Sequence, residues 1–245
     1  MGKARIDQLL VDRGLAESRA KAQALVLAGS VYRGEQRIDK PGVTVPDDAE
    51  IEVRGEKIPY VSRGGVKLAG ALDSFAVVVT GLRCLDVGAS TGGFTDCLLQ
   101  RGAAHVVAVD VGYGQLAHKL RTDARVTNLE RTNARALTLE EIGGAADLTV
   151  VDASFIGLAK LAEALARCTR PGGTLVALVK PQFEVGREEA SRGRGVVRDV
   201  GVRASAIADA RGAVEASGFD VLSEADCVIP GPKGNREAFL HARRK

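Results

Sequence analysis

The run Leu85-Asp86-Val87-Gly88-Ala89-Ser90-Thr91-Gly92-Gly93-Phe94 constrains this chain more than any other stretch. An apolar strand at Arg83–Val87 enters a glycine-rich turn, and a helix opens at Gly92. Such turns bring backbone close to a ligand at the carboxyl ends of strands in an open α/β sheet. The alternation continues downstream. Strands are expected at Val106–Asp110, Arg125–Glu130, Leu148–Asp152 and Thr174–Lys180. Helices are expected at Gly65–Phe75, Gly114–Leu120, Leu158–Cys168 and Val202–Ser217. The strands are nearly continuous apolar runs, as in parallel sheets covered on both faces. The last two, Phe219–Val228 and Glu237–Arg243, are joined by Ile229–Gly234, too short for a crossover helix, so the final strand should run antiparallel. The expected class is α/β, a Rossmann-like sheet with an antiparallel last strand.

Asp110 ends the second strand, where a carboxylate can accept hydrogen bonds from ribose hydroxyls. The turn and this acid suit NAD or S-adenosylmethionine equally. A GxGxxG fingerprint needs its middle glycine for backbone contact with pyrophosphate, and that position here is Ser90. S-adenosylmethionine has no pyrophosphate, so a side chain is tolerable. With the antiparallel last strand, the plan resembles that of class I methyltransferases. The candidate cofactor residues are Asp86, Gly88, Ala89, Ser90, Thr91, Gly92, Gly93, Phe94, Asp110, Val111 and Asp152. Asn133 joins them as a partner of the adenine edge, or else it stabilises its turn. The four cysteines form no CxxC pair, so no metal is expected.

Before this region lies a smaller module. Ile6, Leu9, Leu10 and Arg13 sit at helical spacing and Gly14 closes them. A second helix over Ala20–Ala28 ends at Gly29, followed by short strands at Val31-Tyr32, Arg37-Ile38 and Ile51–Val53. Lys3 to Lys40 carries eight basic and five acidic residues, and Pro41 to Tyr60 carries two and five. A phosphate-facing surface therefore belongs to the first part. Arg5-Ile6-Asp7, Gly14-Leu15, Ser18-Arg19, Ala22, Gly29, Val31, Gly34 and Lys40-Pro41 resemble the alpha-L RNA-binding domain of a ribosomal protein and some RNA-modifying enzymes. Tyr32-Arg33 departs from that pattern. The resemblance implies RNA contacts from Arg5, Ser18, Arg19 and Lys21; charge alone would equally allow a solvated helix face. The expected organisation is an RNA-binding domain at 1–55, a linker at 56–63 and a methyltransferase domain at 64–245.

The acceptor is less direct. Asp152-Ala153-Ser154-Phe155 lacks the Pro-Pro-aromatic pattern of amine methylation, and Cys168 is poorly placed as a pyrimidine nucleophile. Asp152 and Lys180 end neighbouring strands, Lys67 lies in the first helix after Ser62-Arg63-Gly64-Gly65, and Glu237 opens the last strand. Lys180 is either an ordinary strand-end lysine or one of a buried pair.

The four together resemble the Lys-Asp-Lys-Glu tetrad of FtsJ-type RNA 2'-O-methyltransferases. With the small module, the chain resembles the TlyA family, whose members are described as rRNA cytidine 2'-O-methyltransferases and are often labelled haemolysins. Besides the turn, the likeness rests on Val61–Leu68, Asp110–Leu116, Glu130–Arg135, Lys180–Gly186 and Gly231–Glu237. It implies S-adenosylmethionine as donor and ribosomal RNA, within a subunit or ribosome, as partner. It implies that Lys180 orients or deprotonates the ribose hydroxyl, Lys67 steadies the developing alkoxide, Asp152 fixes both amines, and Glu237 positions lysines or ribose. Arg63 and the glycine-flanked Arg187, Arg192 and Arg194 are further RNA candidates, the last three in either a lid or a solvated loop. With its short stretch after the last strand, the chain resembles family members associated with the large subunit, which implies 23S RNA over 16S. An inactive methyltransferase fold that binds RNA, and a membrane-active haemolysin, are the alternatives. No apolar leader or bilayer-length run is present, so a cytoplasmic protein is expected.

Overall fold

The computed structural model describes residues 2–27, 29–54, 58–185, 195–231 and 233–245. The chain divides into two compact units, Met1–Lys57 and Ile58–Lys245.

In the smaller unit, β1 (Lys3–Arg5) leads into α1 (Ile6–Asp12), and α2 (Arg19–Leu27) packs on it. β2 (Val31–Arg33), β3 (Gln36–Ile38) and β5 (Ile51–Val53) form one antiparallel sheet, and β4 (Thr44–Pro46) pairs with β1. Ile6, Leu9, Leu10, Ala22, Val26, Val31, Val45 and Ile51 fill the core between them. The Ile6 amide donates to the Val43 carbonyl at 2.8 Å, so the β4 approach satisfies the start of α1. β1 and β4 were not expected from the sequence; at three residues each they are too short to show a period.

The larger unit contains α3 (Arg63–Ser74), β6 (Arg83–Val87), α4 (Gly93–Gln100), β7 (His105–Val109), α5 (His118–Arg121), β8 (Val126–Leu129), β9 (Ala146–Val151), α6 (Ala162–Cys168), β10 (Thr169–Val179), α7 (Pro181–Glu184), α8 (Val200–Ala216), β11 (Phe219–Asp226) and β12 (Ala238–Arg244). The seven strands lie in the order β11-β12-β10-β9-β6-β7-β8, and only β12 runs against the rest. This is the Rossmann-like sheet with an antiparallel last strand. Alternate strand residues feed two cores. Val107, Val109, Leu175 and Ala177 face Ile207 and Val214 of α8, while Val106, Ala108, Val176 and Leu178 face Leu68, Leu72 and Leu98 of α3 and α4.

Two elements differ from expectation. The helix placed at Gly114–Leu120 is only His118–Arg121. Asp110 Oδ1 accepts from the Gly112 amide and Glu130 Oε1 from the Gly114 amide, which holds 112–114 as a loop. Leu158–Cys168 is split into a 3-10 turn, Leu158–Lys160, and α6. Within the stretch 56–63, Asp96 Oδ2 accepts from the Val61 amide at 2.8 Å, and Gln100 Nε2 donates to the Pro59 carbonyl at 2.9 Å. Among the described residues, no helix is long and apolar enough to cross a membrane.

Candidate functional site

β6 pairs with β7 on one side and β9 on the other, so the chain reverses its lateral direction at β6. A crevice opens at the carboxyl ends of such strands. Its two walls are the turn after β6 and the segment after β9, and they nearly touch. A Cβ on Gly88, whose φ is +88°, would stand 2.7 Å from the Asp152 carbonyl oxygen. Ser90 also sits at positive φ, +47°, an uncommon conformation for a residue with a side chain. Asp110 fixes it there: Oδ2 accepts from the Ser90 amide at 2.8 Å, and Oδ1 accepts from Gly112 at 2.6 Å. Both Asp110 oxygens thus support the loop, and each keeps a further lone pair for a ligand hydroxyl.

Below the turn, Asp86 is fully buried and accepts one hydrogen bond, from Thr95 Oγ1 at 2.6 Å. Its Oδ1 has no partner among the described residues, and burial pushes the carboxyl up to about 7. No lysine or arginine occurs from Cys84 to Gln100 or from Val106 to Ala117. The turn after β6 and the end of β7 therefore contribute carboxylates and positive-φ backbone, while the cations of the groove, Lys67 and Lys180 among them, come from other elements. That donor set fits a ligand bearing a sulfonium and an ammonium better than one bearing pyrophosphate. Asn133 Oδ1 accepts from the Arg135 amide at 3.1 Å and caps the 3-10 turn Ala134–Ala136, and Val111 is exposed.

The candidate tetrad lines one groove of about 1400 Å³, bordered also by Ser62, Arg63, Ser154, Phe155, Lys160, Phe183 and Lys233. That volume exceeds the roughly 300–1000 Å³ of a typical small-molecule pocket. Ser62 Oγ caps α3, which carries Lys67 inward. Lys67 Nζ donates to Glu237 Oε2 at 2.5 Å, with the two side chains 8% and 1% exposed. Lys180 Nζ lies 2.6 Å from Asp152 Oδ1 and donates to Ser154 Oγ at 2.8 Å; its contact with the Asp152 carbonyl is longer, 3.4 Å. Burial raises the Asp152 carboxyl, and Lys180 opposes that rise. Among the described contacts Asp152 touches Lys180 directly, while Lys67 is held by Glu237 and acts on Asp152 through its charge. Each lysine has its own carboxylate, because Lys67 arrives from α3 on the side of β12 and Lys180 from the end of β10 next to Asp152.

Ser154 was missed from the sequence. Its only signal was its place two residues after Asp152. Phe155 was weighed only as part of the acceptor tetrapeptide; it stands at φ +66°, is 90% exposed, and its ring centroid is 5.2 Å from that of Phe183. Asn235 is also new: it is buried, its Oδ1 accepts from the Val197 amide at 2.9 Å, and its Nδ2 donates to the Gly195 carbonyl at 2.8 Å.

Of the expected RNA contacts, Arg63 is exposed on the groove and donates to the Pro230 carbonyl at 3.3 Å. Arg5 and Arg19 lie together in the smaller unit, Lys21 is exposed, and Ser18 Oγ accepts from the Lys21 amide at 3.2 Å. Arg187, Arg192 and Arg194 lie outside the described residues. Cys168 ends α6 with its thiol buried near the Leu137 carbonyl, far along the strands from the crevice.

Comparison with known proteins adds the following. Residues 60–244 match the FtsJ-like methyltransferase model, and residues 4–51 match the S4 domain. The chain is 53% identical over 98% of its length to the 16S/23S rRNA (cytidine-2'-O)-methyltransferase TlyA of Mycobacterium tuberculosis, covering 90% of that protein. It is 46% identical over 98% of its length to YqxC of Bacillus subtilis, named for rRNA methyltransferase activity, covering 85% of it. A solved Streptococcus thermophilus structure bearing a hemolysin label superposes with a TM-score of 0.79 at 42% identity, covering 100% of this chain and 90% of that one.

Proposed function

The chain belongs to the FtsJ-like methyltransferase family, and on that premise we propose that it methylates the ribose 2'-hydroxyl of a cytidine in ribosomal RNA. The observation that carries this reading is the pair of buried lysine–carboxylate contacts, Lys67–Glu237 and Lys180–Asp152, beside the crevice at the strand ends. S-adenosylmethionine, when bound, supplies an electrophilic methyl group on a positively charged sulfur. Asp86, Gly88–Phe94, Asp110, Val111, Asn133 and Asp152 are the residues that would hold it.

A ribose hydroxyl is a poor nucleophile at neutral pH, so the protein must orient it and manage its proton. Ser154 Oγ accepts a hydrogen bond from Lys180 Nζ and the Asp152 carboxylate lies 2.6 Å from the same nitrogen, which together hold the amine at the crevice where it can engage the 2'-hydroxyl. As the 2'-oxygen gains the methyl group, its proton passes to the lone pair of a neutral Lys180, and the ammonium so formed is held by Asp152 and Ser154. Lys67, held by Glu237, contributes positive potential as charge develops on oxygen. Placement of the two reactants supplies much of the acceleration.

In this reading residues 1–55 bind RNA, 56–63 connect, and 64–245 carry out transfer, in the cytoplasm where ribosomes are assembled. Arg5, Ser18, Arg19, Lys21 and Arg63 contact RNA. The Mycobacterium relative's name includes both 16S and 23S rRNA, which opens the choice of subunit to direct assay. The test is transfer of labelled methyl from S-adenosylmethionine to separated small and large subunits, beside Lys180→Ala. Label in an alkali-resistant dinucleotide of either RNA, lost in the variant, is the expected result. Label in an alkali-sensitive product, or none on either subunit, overturns the proposal.

A further inference from the structure

The smaller unit contains a charged cluster that the transfer step does not use. Asp7, in the first turn of α1, is 0% exposed. Its Oδ1 accepts from Arg5 Nε at 3.0 Å, and its Oδ2 accepts from Arg5 Nη2 at 2.9 Å, Arg19 Nε at 3.1 Å and Gln23 Nε2 at 2.9 Å. A desolvated carboxylate is costly unless its lone pairs are matched, and here four donors match them. The Arg5 and Arg19 side chains remain 50% and 54% exposed. One anion set against two cations leaves a net positive charge, presented by the outer edges of Arg5 and Arg19. Among the described residues, Arg5 Nη1 and both terminal nitrogens of Arg19 have no acceptor.

We infer that Asp7 is a positioning residue for RNA: from beneath the surface it sets Arg5 and Arg19 as one fork for a backbone phosphate. An arginine free in solvent must be ordered when it binds, and that ordering costs affinity. Two arginines tied to a common carboxylate arrive already partly ordered, Arg5 by two bonds that fix its plane and Arg19 by its Nε, with their outer N–H groups free. Gln23, reaching from α2, ties the second helix to the same carboxylate, so the fork also depends on how α1 and α2 pack. The inference rests on the reading of this unit as RNA-binding, and it makes a demand opposite to simple Coulomb attraction. Asp7→Asn removes a negative charge beside the phosphate site, which by charge alone would strengthen RNA binding. If Asp7 acts by positioning, binding must weaken.

The experiment measures affinity of the full chain for purified ribosomal subunits across a series of KCl concentrations, with melting curves for each variant. Arg5→Ala combined with Arg19→Ala should weaken binding and flatten the salt dependence, because phosphate contacts are lost. Asp7→Asn should weaken binding about five- to tenfold with the salt slope unchanged, since both arginines keep their charge. Added to the double arginine variant, Asp7→Asn should change affinity no further, because it acts through those side chains. Binding that is unchanged or tighter in Asp7→Asn overturns the inference, as does an equal loss in the double-arginine background. If the double arginine variant itself binds as wild type does, the RNA-binding reading of this surface is what fails. Should Asp7→Asn lose cooperative melting, Gln23→Ala decides: a loss of about two- to threefold is expected, and no loss overturns the inference.

Discussion

Asp7 in the smaller unit and Asp86 in the larger one are equally hidden from solvent, yet they hold their protons in opposite ways. Hydrogen bonds from Arg5, with Gln23 and Arg19 adding to them, keep Asp7 well below the usual carboxylate range despite its burial. Asp86 has only neutral donors from Thr95 among the described residues, and burial lifts it to about 7. Burial penalises the charged form of both, more heavily for Asp86, and only Asp7 has cationic donors to outweigh that penalty. The surroundings follow the same division. The smaller unit rings a buried anion with half-exposed guanidinium groups and so displays charge to solvent. The larger unit matches each buried lysine to one carboxylate and keeps charge inside a groove. The first arrangement suits capture of phosphates in water; the second suits a displacement reaction in a field that solvent screens poorly.

That division can be broken most forcefully at Lys180. Lys180→Ala should cut labelled methyl transfer by about 10²–10⁴ while leaving subunit affinity within about twofold. A parallel collapse of binding would erase the distinction between the two regions. Lys67→Ala should act on stability as well, because it leaves Glu237 buried without its cation; chemical denaturation should show a loss of about 3–5 kcal/mol. Lys67→Arg retains the charge and should recover part of that stability but little activity, since a planar guanidinium does not reproduce a compact ammonium.

The two aspartates give opposite pH signatures. An unfolded carboxyl ionises near 3.9, whereas native Asp86 holds its proton to about 7. Native protein therefore binds more protons between those values, and its stability falls as pH rises through the window. Asp86→Asn should flatten that fall in urea titrations from pH 4 to 8; an equally steep decline in the variant would place the titration elsewhere. Asp7 has the opposite sign: its folded pKa lies below the unfolded one, so its contribution is present above about pH 4 and fades on acidification. The smallest effect is expected at Thr95→Val. Removing the hydroxyl donor to Asp86 should cost about 1 kcal/mol at pH 8 and less at pH 5, where the carboxyl is protonated.

Much of this was readable in the chain. Asp86 to Phe94 could be placed because an apolar strand and a glycine turn leave few alternatives, and Lys180 and Asp152 because they stop strands that must lie side by side. The antiparallel β12 followed from the short connection before it. The pairing of Lys67 with Glu237 was not readable, since it depends on the angle at which α3 approaches β12. Nor was the Asp7 cluster, whose donors stand two, twelve and sixteen residues away. The helix expected at Gly114 failed because Asp110 and Glu130 each capture a backbone amide there, a competition that local pattern does not reveal.

The position of β12 also sets the order in which the molecule can become active. β12 is inserted between β10 and β11, both of which precede it in the chain. A polypeptide emerging from the ribosome can shape the smaller unit and the β6-to-β10 half of the sheet first. At that stage Lys67, Asp152 and Lys180 are already in hand, but Glu237 is not, and β10 and β11 have a gap where their shared neighbour belongs. In the proposed reading, the tetrad is therefore complete only once β12 has paired, when one strand closes the sheet and delivers the fourth charged residue together.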